Sequence, residues 1–213
     1  RSFLVVAQVA IILVLLTVGS LVGRSFVQAL RVDPGFQPEG VMTFHATPTE
    51  VGKRWTTVAF DVRNLIRELP GTEGVAFTSE SPLDERYSGA FRVGDTRNRA
   101  FTYKLVGSDY FETLGARLVS GRSFTEDEVG RFGPVIMLNE RAAAYLFGST
   151  DPLGRVVESS VTGKGATVVG IVKDMRIAGL DKEAPAVVYL PYSSFFRTLN
   201  FLVRTSAKPA VFT

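Results

Sequence analysis

The stretch FLVVAQVAIILVLLTVGSLV, Phe3 to Val22, carries one strongly polar side chain, Gln8. A helix of about 20 apolar residues spans the roughly 30 Å hydrocarbon layer of a bilayer, so this run predicts a transmembrane helix. Thr17 and Ser20 are compatible with it because their hydroxyls can bond carbonyls one turn back. Two rivals share the composition: a buried helix of a soluble domain and a cleaved signal peptide. The run is long for either, and Arg24 follows it closely where a signal peptide would end at a small-x-small site.

The helical pattern outlasts the apolar run. Val22, Phe26, Ala29 and Leu30 keep a stripe at i, i+4, i+7 and i+8, and nothing interrupts it until Asp33-Pro34-Gly35. Proline cannot continue a helix and pushes the preceding residue out of the helical region. A continuous helix from Phe3 to about Leu30 is roughly 40 Å long at about 1.5 Å per residue. It is expected to leave the membrane by about two turns, so residues 1–32 read as a span and a stalk. Charge does not orient it, since Arg1 lies on one side and Arg24 and Arg31 on the other.

Beyond the stalk the period changes. Val41 to Ala46 reads as a strand. Lys53 to Leu69 reads as an amphipathic helix, with Trp55, Val58, Val62, Leu65, Ile66 and Leu69 on the apolar face and Lys53, Arg54, Asp61, Arg63, Arg67 and Glu68 mostly off it. Pro70-Gly71 ends it, and Val75 to Thr78 completes a strand-helix-strand unit. Residues 80–98 read as a looser region. Phe101 to Val106 alternates as a strand. SDYFETLG predicts a short helix with Ser108 as N-cap and Gly115 as C-cap. TEDE, Thr125 to Glu128, starts another with acidic residues in its first turn. Val135 to Leu138 is a strand, and Asn139 caps a helix to about Phe147, closed by Gly148. Asp151 to Gly154 is a turn, Val156 to Val161 and Thr167 to Lys173 a hairpin around Gly163-Lys164-Gly165, and Val187 to Leu190 and Phe201 to Arg204 further strands. Strands and helices mix without a strict βαβ period, so the class is α+β.

Composition narrows the function. The 213 residues suffice for one good-sized domain or two small ones. Net charge is only +3, from 24 Lys+Arg against 21 Asp+Glu, with no basic face, which argues against nucleic acid as a partner. There is no Cys, which removes disulfides and thiolate metal sites. His45 stands alone, without a Cys partner or a G-x-S-x-G elbow. The carboxylates Glu126, Asp127 and Glu128 lack EF-hand spacing and read as helix N-terminal stabilisers. Gly163-Lys164-Gly165 resembles part of a phosphate loop, but Glu158 and Gly165 stand where that loop needs Gly and Ser or Thr. Tyr192, Phe195 and Phe196 read as packing or edge residues, or as a partner surface. No catalytic, cofactor-binding or metal residue is nominated.

LVVAQVAIILVLLTVGSLVGRSFVQALRVDPGF resembles the membrane helix and juxtamembrane lead-in of MacB/FtsX-like ABC transporter permeases, above all the duplicated permeases of Acidobacteria. GVMTF, RELPGTEGVAF, GSDYFETLGARLVSGRSFTEDE, VIMLNERAAAYLF, DPLGR, VVGIVKDMRIAGL and VVYLPY continue the likeness in order over nearly the whole chain. The resemblance implies one N-terminal transmembrane helix followed by a two-lobed extracytoplasmic MacB-like periplasmic core domain over 33–213. A βαβ porter-like lobe would comprise 39–81 plus 186–213, with an inserted mixed α/β lobe over 82–185. It implies a cytoplasmic N-terminus in the inner (plasma) membrane and the domain in the periplasm. It implies contact with membrane lipid, a separate cytoplasmic ABC ATPase subunit, a homodimer or paired permease halves, and an envelope adaptor protein. It also implies that a helix, a strand and three further membrane helices follow LVRT, so that this chain is a C-terminally truncated fragment, matching a second permease copy in lacking a start methionine. The expected function is a non-catalytic permease subunit for export (efflux) or mechanotransmission. The alternatives are a membrane-tethered sensor or binding module, and a membrane-anchored hydrolase that would need His45.

Overall fold

The computed structural model describes residues 2–30, 33–47, 55–84, 87–177, 179, 182–193 and 198–206. The chain forms two units, Arg1–Asp33 and Pro34–Thr213. The first is one helix, α1 (Ser2–Leu30). Its Thr17 hydroxyl lies 3.0 and 2.8 Å from the carbonyls of Leu13 and Val14, and Ser20 Oγ donates to Thr17 O at 2.8 Å. Within it Val5–Arg24 is long and apolar enough to cross a bilayer, and Ile11, Leu15 and Val22 present bare apolar surface.

The second unit contains, in order, β1 (Val41–Ala46), α2 (Trp55–Arg67), β2 (Thr72–Thr78), β3 (Ser88–Arg92), β4 (Arg99–Val106), α3 (Tyr110–Leu114), β5 (Leu118–Gly121), α4 (Glu126–Arg131), β6 (Val135–Asn139), α5 (Glu140–Phe147), β7 (Val156–Ser159), β8 (Gly165–Val172), β9 (Val187–Pro191) and β10 (Leu199–Thr205). The β1-α2-β2 unit is split: β10 lies between the two strands and pairs antiparallel with both, Phe44↔Phe201 on one side and Phe201↔Phe77 on the other. Phe60 of α2 meets Phe77 edge-on at 5.3 Å and Phe44 stacks on Phe201 at 5.1 Å, so aromatic rings line the helix-facing side of this three-stranded group.

The other main strands close on themselves. β4 pairs with β3, β3 with β7, β7 with β8, β8 with β6, β6 with β9, and β9 returns to β4 in parallel. Closure removes the exposed edges that an open sheet must protect. β5 is appended to β8. β4 serves both groups along one edge: its first half pairs with β3, and its end meets β2 at the registered pair Thr78↔Val106. Ser79 N donates to Leu105 O at 3.0 Å and Gly107 N to Phe77 O at 2.8 Å beside that pair. A contiguous apolar core runs through both groups, including Phe77, Leu105, Tyr110, Ile136, Leu138 and Tyr189.

Several expectations are corrected. β3 lies inside the stretch expected to be loose; Ser-Gly-Ala-Phe-Arg lacks a marked alternation, and Gly89 is present because a Cβ there would strike Val161, Phe91 and Tyr103. β5 was not foreseen either, being a short strand with a register shift. The cap of α3 is Asp109, not Ser108. Asp109 makes no side-chain cap bond because its carboxylate is turned to Arg63, 2.7 Å away. Gly115 does close that helix, in the left-handed conformation. On α2 the face is rotated: Trp55, Thr56, Ala59 and Arg63 are buried, while Leu65 and Leu69 are exposed. β9, at the start of the stretch 186–213, ladders with β4 and β6, which leaves the expected lobe boundaries open. Lys53, Arg54, Phe195 and Phe196 lie outside the described residues.

Candidate functional site: the lead-in segment and its anchors

Pro34–Gly40 leads from Asp33 to β1 and is fastened at both ends. Gly35 is buried at φ 83, so close to the Asp174 and Met175 backbone that a Cβ would collide with the Asp174 carbonyl. That combination requires glycine. Beside it Arg176 N donates to Pro34 O at 2.9 Å. Further along, Gln37 N donates to Leu114 O at 2.8 Å. Arg204, near the end of β10, donates Nε to Thr113 O at 2.8 Å, Nη1 to Glu39 O at 3.0 Å and Nη2 to Gln37 O at 2.8 Å. One planar guanidinium thus satisfies carbonyls of the segment and of α3 at once, a geometry its fixed fork of donors suits.

The residues gripping Gly35 are themselves held. Asp174 Oδ1 accepts from Arg141 N at 3.0 Å near the start of α5, and Asn139, the N-cap of α5, accepts from Ala142 N and Val187 N and donates to Pro185 O. Burial pushes the Asp174 carboxyl above its ordinary range, with Glu140 nearby adding to the rise and the Arg141 amide opposing it.

Two charged clusters tie the segments between the strand groups. Lys104 Nζ, fully buried, lies 3.1 Å from the equally buried Glu80 carboxylate and donates to the carbonyls of Ser81 at 3.2 Å and Asp84 at 2.6 Å. It thereby clamps the chain as it crosses from β2 toward β3. Arg63, with 3% of its side chain exposed, reaches Asp109 at 2.7 Å and Glu126 at 2.6 Å and lies 4.8 Å over the Phe60 ring. The sequence signal of Lys104, Arg204 and Arg63 is a basic residue in an otherwise apolar strand, FTYKLV and LNFLVRT, and an arginine on a helix face that packs inward.

The residues weighed from the sequence lie elsewhere. His45 is exposed on β1, its Nε2 3.0 Å from Thr47 Oγ1. The acidic trio separates: Glu126 goes to Arg63, Asp127 pairs with Arg131, and Glu128 joins a capping box with Thr125 and a bidentate pair with Arg122. The Arg122 guanidinium holds the Glu128 carboxyl at about 2, burial opposing and Thr125 assisting. Among the described residues no group of three or more His, Asp or Glu side chains is placed to hold a metal. Gly163-Lys164-Gly165 turns the β7–β8 hairpin and borders an open cleft of about 500 Å³ with Arg92, Asn98, Glu158 and Ser160. Tyr192 is fully buried against Phe77. A smaller, apolar groove of about 160 Å³ runs between Phe36, Pro38, Pro82, Leu83 and Leu114.

The sequence profile of the MacB-like periplasmic core domain matches residues 2–211. The chain belongs to this family. It is 31% identical over 113 residues to the macrolide export ATP-binding/permease protein MacB of Aggregatibacter actinomycetemcomitans, covering 53% of this chain and 17% of that protein. It is 29% identical over 145 residues to the ABC transporter permease YknZ of Bacillus subtilis, covering 65% of this chain and 34% of that protein. The fold is shared with the extracellular domain of YknZ, at TM-score 0.55 and 19% identity over 80% of this chain and 87% of that one. It is shared equally with the periplasmic region of MacB from Actinobacillus actinomycetemcomitans, at TM-score 0.55 and 21% identity over 86% and 83%. The lead-in segment therefore belongs to a MacB-like periplasmic core domain, and the present chain spans 17% and 34% of the length of those two relatives.

Proposed function

We propose that this MacB-like chain is part of the permease subunit of an ABC-type export or mechanotransmission system, without catalytic chemistry of its own. In this reading α1 crosses the inner membrane from a cytoplasmic N-terminus, and Pro34–Thr213 works on the outer side. A separate cytoplasmic ATPase moves the membrane helices, and the domain passes that movement to an envelope adaptor or to substrate, in a homodimer or a pair of permease halves. Residues 39–81 and 186–213 form a porter-like lobe, and 82–185 are inserted in it.

One observation carries the reading. A helix that runs unbroken to Leu30 is followed within a few residues by a segment whose backbone is fastened at Pro34, Gly35, Gln37 and Glu39. Between Arg24 and Asp33 there is neither Gly nor Pro, the residues at which helices bend most readily. A helix of that composition carries displacement along its own length, and the fastened segment after it is where the domain would receive it.

The test is a Gly-Gly insertion after Ala29 in the complete permease, reconstituted with its ATPase. The expected result is continued ATP hydrolysis, a domain that stays folded by circular dichroism, and loss of transport. Unchanged transport would sink the coupling role. Ligand binding by the domain that is indifferent to the ATPase would favour a tethered sensor.

A further inference from the structure

Among the described residues the strands of the group β1-β10-β2 ladder with the closed ring at one registered pair, Thr78↔Val106, over a shared apolar core. The lead-in segment crosses between the same two bodies. Its first anchor is on the ring side, where Arg176 N bonds Pro34 O and Gly35 abuts Asp174; residues 174–176 follow β8 and are tied to α5 through Arg141 N. Its second anchor is on the three-stranded side, through Arg204 of β10 and Leu114 of α3, a helix that packs on β2 and β10. Lys104 and Arg63 also bridge the bodies, but through long side chains. Main-chain bonds beside the ladder pair, Ser79 N to Leu105 O and Gly107 N to Phe77 O, join them too, but Pro34–Gly40 is the bridging stretch that stands next to α1 in sequence.

The contact it spans carries buried polar groups. The buried hydroxyls of Ser79, just after β2, Tyr110, at the start of α3, and Tyr189, in β9, have no protein hydrogen-bond partner among the described residues. Tyr110 and Tyr189 face one another with ring centroids 6.4 Å apart, and burial raises both hydroxyls well above their ordinary range. Native interiors pair nearly all buried polar groups, and packed interfaces shift between discrete arrangements instead of deforming smoothly. Few ladder bonds and three hydroxyls without a protein partner therefore hold this junction less firmly than the fully laddered strands on either side of it.

We propose that Pro34–Gly40 is a strap that holds the ring and the three-stranded group in one arrangement, and that releasing its ring-side anchor lets the ring turn about the Thr78–Val106 contact. The strap takes its purpose from the coupling role proposed above. Its test involves no ATPase, so its failure leaves that role standing.

The experiment uses the full chain in detergent or nanodiscs. The sequence has no cysteine, so two can be placed for spin labels at Leu65 on α2 and Val156 on β7, both exposed. The parent should give one narrow inter-label distance. Gly35→Ala should add a second population and speed exchange of the Arg176 amide about tenfold through local opening. One unchanged population in a variant whose Arg176 amide has lost protection overturns the strap. Should Gly35→Ala not fold, or should it leave the Arg176 amide protected, hydrogen exchange of the unsubstituted chain decides. The amides of Arg176, Ser79 and Gly107 should then open with one shared dependence on denaturant. Junction amides that stay closed where Arg176 opens overturn the proposal equally.

Discussion

Arg204 Nη2 bonds the carbonyl of Gln37 at 2.8 Å across 167 positions of sequence. With the bonds to Glu39 and Thr113, it makes one side chain of β10 the fastener of the segment through which the chain enters the domain. Arg204→Met should lower the unfolding free energy by about 1–3 kcal/mol, the usual range for charged hydrogen bonds whose acceptors can partly resolvate. Urea titration checks the size. Unchanged stability together with unchanged exchange at Gln37 would mean that the guanidinium fastens nothing.

Lys104 and Glu80 make the opposite kind of pair, fully withdrawn from water. Lys104→Met leaves a buried carboxylate without its cation, and breaking such a pair costs roughly 3–5 kcal/mol. The double variant Lys104→Met with Glu80→Leu should recover most of that loss, because no charge then remains to be solvated. A double variant as unstable as the single one would show that the carbonyl bonds to Ser81 and Asp84, and not the charge pair, dominate.

Acid should act through Glu128. Its folded pKa, about 2, lies below the ordinary 4.5 because Arg122 bonds the ionised form. A depressed carboxyl contributes stability that is complete above the unfolded pKa and is lost as pH falls from about 4.5 toward 2. Arg122→Gln should flatten the stability profile in that window. Asp174 has the reverse sign: its raised pKa makes the protonated form the better folded partner, so its contribution declines as pH rises through the folded value. Asp174→Asn should therefore remove a slope in which stability falls with rising pH. Thermal melts of the two variants between pH 2 and 7 separate the contributions.

Gly35→Ala should destabilise by more than the roughly 1 kcal/mol that a left-handed conformation costs an L residue, since the added methyl also meets the Asp174 main chain. Gly163→Ala, also at positive φ but with open space around it, should cost only the conformational part. The difference between the two, measured by denaturant unfolding, isolates the close approach.

Local chemistry was legible wherever one residue and its near neighbours decide the outcome. The helix start at Thr125–Glu128, the Asn139 cap, the Gly115 stop and the β1 strand stand where their side chains put them. Arg63 shows the limit: at helical spacing it belongs with the solvated charges, and only the convergence of Asp109 and Glu126, 46 and 63 positions away, makes it a buried residue. β3 was hidden for a related reason, because its strand state is conferred by β4 and β7 on either side and not by its own alternation.

By itself, then, the sequence determined an apolar helix of membrane-spanning length, its end before Asp33-Pro34, the α+β class and most caps and turns, because these depend on periodicity and on contacts within a few residues. The tertiary structure decided the closed ring of strands, the hand-off along β4, the placement of β9 in the ring and the fastening of Pro34–Gly40 by Arg204 and Arg176. Those relations depend on which distant backbone groups find each other once apolar surface is buried, and no local pattern encodes that choice.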